Sequence, residues 1–245
     1  MVLEITVERD YTIEDPKTDA YTVHVDTQRI LTVVTHSESI VTKWLKDALK
    51  SSIKSAVLVG ITAETEHRWC WHEKDRHKEY PYDFLCLNIG AQSLVYETWE
   101  TYFRGRHSLV SFLENPRVFV IGREMANLSR KLKVHHGIEI RNAVDVNDLA
   151  IRGLRRDDLD LGRYDLDQLA RAVLGKQMDL ARPEDDFYWK YRDDEFHRWT
   201  QCDELKLFWA IDPYLCFLIG LELIDAIDGA ASQKKKTKKK KKKKN

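Results

Sequence analysis

The residue best placed by its neighbours to do chemistry is Glu64. It follows Ser55-Ala-Val-Leu-Val-Gly-Ile-Thr-Ala63, an apolar run of strand length, rich in β-branched residues, that turns polar and acidic at its end. A buried strand that delivers a carboxylate at its end is a common way for α/β enzymes to build a metal or phosphate site. Whether Glu64 has a metal to hold depends on how many other acids gather around it. A group of cations lies further along: Arg123, Arg130, Lys131 and Lys133, followed by His135 and His136. A solvated helix face is the plain reading of such a group, and a phosphate-holding face the functional one.

Other constellations are weaker. His67, Cys70, His72 and His77 do not repeat a standard zinc spacing and read as exposed loop histidines. Trp69 and Trp71 in the same loop, with Arg68, Lys74, Arg76 and Lys78, have the composition of a single-strand stacking platform or of a loop packing on a neighbour. Asp157, Asp158, Asp160, Asp165 and Asp167 lack the Gly and closing Glu of a calcium loop, and read as caps and solubilising charge. Ser111 and Ser129 have no legible His–Asp partnership.

The elements that must position Glu64 can be read along the chain. Residues 1–36 alternate apolar and polar, giving hairpin strands. A helix capped at Ser37 or Ser39 runs through Ile40, Val41, Trp44, Leu45 and Leu49. The strand 56–62 follows, then a polar, aromatic loop over 64–82 and strands starting at Phe84 and Ser93. After a short helix at Leu109–Leu113 come the strand Val118–Ile121, a helix through Met125, Leu128 and Leu132 stopped by Gly137, and a strand over 138–144. Helices then run through Leu149 and Leu154, and from an Asp165 cap through Val173. The apolar region Cys202–Ile227 contains Pro213 and reads as two helices or one kinked helix.

With 245 residues, seven Trp, ten Tyr and eight Phe, the chain has enough apolar material for one packed domain. No apolar run nears the ~20 residues of a membrane span. The four scattered cysteines suit a reducing compartment, the nucleus or cytoplasm. The zero net charge hides two parts. Ten lysines at 234–236 and 238–244 leave residues 1–233 with 30 basic against 40 acidic side chains. The acidic body offers no global attraction for nucleic acid, so such binding needs a local patch or the tail. The tail, 229–245, reads as disordered and as a nuclear-targeting or polyanion-binding segment.

The ordered pieces resemble a known family. They are Val59-Gly-Ile, the hairpin 84–97, Ser111-Phe-Leu-Glu-Asn-Pro, Ile121-Gly, Ser129-Arg-Lys-Leu, Asn142-Ala-Val-Asp-Val, Leu174-Gly-Lys-Gln, Trp199-Thr and Phe208-Trp-Ala-Ile-Asp-Pro-Tyr214. Together they are similar to the DnaQ-like, RNase H-related 3′→5′ exonuclease superfamily, most closely its Werner-type members and their small plant relatives. The resemblance implies an α/β fold with an RNase H-like mixed sheet flanked by helices. It covers residues 30–228, between an N-terminal extension at 1–29 and the tail.

The resemblance also implies a site. Four carboxylates in such enzymes hold two divalent metals, Mg²⁺ or Mn²⁺, that hydrolyse a phosphodiester. Glu64 and Asp212 stand at two of those positions as metal and catalytic residues. Thr62 and Leu128 stand where the other two acids belong, and Phe208 replaces the tyrosine that orients water. Glu66, Glu124 and Asn127 are next to the vacated positions. Arg123, Arg130 and Lys131 are expected to bind nucleic acid. The expected activity is 3′→5′ hydrolysis of single-stranded RNA or DNA. The alternative is an inactive exonuclease-fold protein serving as a nucleic-acid-binding or homo-oligomeric scaffold.

Overall fold

The computed structural model describes residues 2–3, 5–10, 18–51, 56–65, 81–98, 107–178 and 203–242. Glu66, the histidines and tryptophans of the 67–77 loop, and Trp199 lie outside them. A short parallel pair joins β1 (Val2–Leu3) to β10 (Gln177–Met178). The main sheet contains β2 (Ile5–Arg9), β3 (Thr18–Val25), β4 (Gln28–Thr35), β5 (Val57–Glu64), β6 (Phe84–Ile89), β7 (Gln92–Glu97), β8 (Val118–Gly122) and β9 (Ala143–Asp145). Its order is β2-β3-β4-β7-β6-β5-β8-β9. The sheet is mixed: β5 runs antiparallel to β6 and parallel to β8, and β4 runs parallel to β7.

β3 and β4 form a hairpin because two residues, Asp26 and Thr27, turn between alternating strands, with Asp26 in the left-handed region at φ 53°. Lys176 Nζ holds the Asp26 carboxylate at 2.9 Å. The strands before residue 30 therefore belong to the same sheet as those after it.

Alternation along β5 assigns its side chains to two cores. Val57, Val59 and Ile61 pack with α1 (Glu38–Ser51), α2 (Ser108–Leu113) and α3 (Met125–Lys131) on one face. The other face is covered by α4 (Val146–Leu154), α5 (Leu166–Leu174) and α6 (Asp203–Lys242), with Ile121, Leu149, Leu169, Ile211 and Ile219 at its centre. Full burial of each such side chain stabilises the fold by ~1.5–3 kcal/mol. Caps fix where the helices start. Asp145 accepts from Asn147 N at 2.9 Å at α4, and Asp165 and Gln168 form a reciprocal capping box at α5.

Two elements differ from the expectations above, while the 203–227 region takes the single-helix form of its two readings, with Pro213 inside the helix and buried. An interior proline costs about 3 kcal/mol, and here packing offsets it. The helical backbone continues through the lysine run to Lys242, where a disordered tail was expected. Lysine is a good helix former, and no proline follows Gly229, although the like charges along the run repel one another. Finally, 138–142 is not strand. Ile138 N bonds back to Leu132 O at 3.1 Å and Arg141 N to Leu113 O at 3.1 Å, closing the end of the preceding helix and bracing α2. The strand begins only at Ala143.

Candidate functional site

The site begins with a close approach of two backbones. Gly60, Thr62 and Glu64 share one face of β5, and α6 crosses that face at Gly60. A Cβ at Gly60 would lie 1.8 Å from Pro213 O and 2.8 Å from Phe217 N, so only glycine lets the helix sit there. The crossing places Asp212, just before the proline, and Cys216, one turn later, in a cleft with Thr62 and Glu64. The cleft has a volume of about 400 Å³ and is also lined by Tyr82, Arg123, Glu124, Asn127, Leu128 and Asp165.

On the β5–α6 side the carboxylates converge on a thiol. Register sets Cys86 directly opposite Thr62 across β5 and β6, on the same face. Burial pushes the Cys86 thiol well up from its ordinary pKa, and the charges of Glu64 and Asp212 add to that. A hydrogen bond with the Thr62 side chain pulls the other way. Both acids thus act on one buried point, while the Thr62 side chain is engaged with sulfur. One turn before Asp212, Phe208 is half-buried, and Trp209 stacks on Phe84 with ring centroids 4.5 Å apart.

The β8–α3 side is built differently. β8 ends at Gly122, whose Cβ would meet Ile61 O at 2.7 Å and Met125 Sδ at 2.8 Å. Glu124 takes a left-handed conformation at φ 50°, unusual for a non-glycine residue, and Met125 N donates to Asp145 Oδ2 at 3.0 Å. Leu128 is 6% exposed and packs into the first core. Asn127 Oδ1 accepts from Arg130 Nη2 at 2.8 Å on the surface. Lys131 Nζ sits 3.9 Å from the centroid of the Tyr82 ring, a cation–π contact. A π-helical turn, Leu132–His136, closes this helix. Burial takes the His136 pKa down to about 4, helped by His135, against a hydrogen bond with the Tyr82 backbone.

The structure therefore brings Glu64, Asp212, Thr62, Leu128, Glu124, Asn127 and Arg123 to one cleft. Among the described residues, Phe208, Arg130 and Lys131 do not line it. Tyr82, Asp165 and Cys216 do, unforeseen from the sequence. Asp165 caps α5 as its position suggests and faces the cleft as well, and nothing in the acidic run 157–167 distinguishes it.

The donor set can be tested against a metal. Among the described residues no three His, Cys, Asp or Glu side chains come together as a metal-binding group. Leu128 offers no oxygen, and Thr62 offers only a neutral hydroxyl. Two metal ions do not fit. One Mg²⁺ or Mn²⁺ asks for less, since Mg²⁺ is commonly held by one or two carboxylates completed by water and substrate phosphate.

No family model and no curated protein matches the chain. Solved structures do. The catalytic core of RRP6 from Trypanosoma brucei superposes with a TM-score of 0.52 at 10% identity, over 82% of this chain and 48% of that one. The chain shares with that exonuclease core its α/β fold, a mixed eight-stranded sheet flanked by helices. The EXD2 exonuclease domain, in a crystal soaked in Mn, matches with a TM-score of 0.42 at 16% identity, over 84% of this chain and 94% of that one. Among the described residues no helix is long and apolar enough to cross a membrane.

Proposed function

We propose that the protein is a nucleic-acid-directed 3′→5′ exonuclease-like protein that takes the 3′ end of single-stranded RNA or DNA into this cleft. Its reaction class is metal-dependent phosphodiester hydrolysis releasing nucleoside monophosphates. The observation that carries this reading is the convergence of Glu64 and Asp212 in one cleft, forced by the contact of α6 with β5 at Gly60. Glu64 and Asp212 hold a single Mg²⁺ or Mn²⁺. Such an ion supplies Lewis-acid polarisation of the phosphate. Around it, Leu128 and the buried Tyr82 keep the wall of the cleft largely apolar. The order of sequence motifs supports a reading nearest the Werner-type exonucleases and their small plant relatives. The lysine run suits nuclear import and retention on polyanions.

The test uses 5′-labelled single-stranded RNA and DNA with Mg²⁺ or Mn²⁺. Metal-dependent shortening from the 3′ end is expected, abolished in Glu64→Gln and in Asp212→Asn. Equal trimming by wild type and both variants would assign the activity to a contaminant. A second reading, a binding or homo-oligomeric scaffold protein without the chemistry, is favoured by one observation: Leu128 is a core residue, so one of the family's acid positions serves packing. Binding without shortening would select it.

A further inference from the structure

Of the three cations expected to bind nucleic acid, Arg123 is the one that lines the cleft. It stands between the end of β8 and the start of α3, and it lines the cavity with Glu64, Glu124, Asp165 and Asp212. Among the described residues no hydrogen bond or ion pair engages it, and its Nε is buried with no acceptor. A guanidinium that shares a cleft with carboxylates would ordinarily turn to one of them, and leaving a buried N–H unmatched costs stability. The backbone around it is held on both sides. Gly122 is wedged between Ile61 O and Met125 Sδ, Glu124 is left-handed, and Met125 N is tied to Asp145. A cation presented from such a fixed stretch is pre-organised for a ligand that brings its own acceptors.

We infer that Arg123 is the phosphate-binding residue of the cleft, its guanidinium taking the non-bridging oxygens of the terminal phosphodiester. The inference rests on the reading that nucleic-acid ends enter here. It gives the β8–α3 side a fixed positive charge where a second metal ion finds no ligand at Leu128. Carboxylates on the β5–α6 side and a cation on the other orient a phosphate between them. Arginine suits the task because its planar fork matches two phosphate oxygens at once. Arg130 and Lys131, which the sequence offers as equals, are engaged with Asn127 and the Tyr82 ring.

The test is the affinity of the full chain, in excess EDTA and at fixed salt, for a dinucleoside monophosphate, thymidylyl-thymidine, followed by ligand-observed NMR. Thymidine serves as the phosphate-free control. Wild type is expected to prefer the dinucleotide. Arg123→Met should weaken that binding about tenfold or more, and Arg123→Lys should fall between. Melting curves establish that each variant is folded. Should Arg123→Met not fold, the lysine variant carries the test through its loss of the two-oxygen contact. Equal dinucleotide affinity in wild type and the folded variants overturns the inference and leaves the proposed function standing. Dinucleotide binding no tighter than thymidine overturns it too, and 3′ shortening in the metal-dependent assay then decides separately whether the proposed function survives.

Discussion

The two walls of the cleft have been shaped by different demands. The β5–α6 wall is a backbone contact so close that a glycine is required, and its exposed edge still carries Glu64 and Asp212. The β8–α3 wall has turned inward: Leu128 belongs to the core, and Lys131 and His136 are committed to Tyr82. The comparison teaches that stability and chemistry compete for the same positions. An acid facing other acids in a cleft destabilises the folded chain unless a metal neutralises it, whereas a leucine there adds to the core.

The first way to break the comparison is to attack the rigid wall. Gly60→Ala places a methyl group against the Pro213 carbonyl, and neither backbone can yield cheaply. A loss of about 3 kcal/mol or more is expected in urea denaturation. Gly220→Ala is the sharpening control, because its Cβ would meet the movable tip of Ile121 at 2.3 Å. It should cost about 1–2 kcal/mol.

The second way is to return an acid to the altered wall. Leu128→Asp removes a buried side chain and buries a carboxylate, so about 2–4 kcal/mol should be lost in metal-free buffer. The same variant should regain part of that loss when Mg²⁺ or Mn²⁺ is added, seen as a metal-dependent rise in melting temperature. Wild type should show a smaller rise. No metal response in the variant would separate position 128 from the metal site.

A smaller effect follows from His136. Its folded pKa, about 4, lies below the ordinary histidine value, so protonation favours the unfolded chain. The stability this histidine withholds at low pH is fully present above about pH 6.5 and is lost as pH falls toward 4. Discounted for its partial exposure, the loss is about 2 kcal/mol. It should be flattened in His136→Gln, as read from denaturation midpoints across that window. Smallest of all, Arg130→Ala removes an exposed contact to Asn127 and should change stability by less than about 0.5 kcal/mol.

Much of this cleft was legible in the sequence. Val57 to Ile61 declare a buried strand by composition, the capping sequence at Asp165 declares α5, and motif order relates Glu64, Leu128 and Asp212 across the chain. Tertiary contacts were not legible. Asp165 reads as a helix cap and gains its place in the cleft only once α5 is docked. Arg130 and Lys131 read like Arg123 until Asn127 and the Tyr82 ring are beside them. Cys86 joins the site only through its register with Thr62. Pro213 reads as a break or a kink in the helix because its cost is local, while the packing that offsets it involves Gly60, about 150 residues away.

The central claim is that this cleft holds one divalent ion, on Glu64 and Asp212, rather than two. Calorimetric titration of Mn²⁺ into the full chain with a bound dinucleotide tests it most directly. One ion per chain, lost in both Glu64→Gln and Asp212→Asn, is the predicted result. Two ions per chain, or one that survives both substitutions, would contradict it.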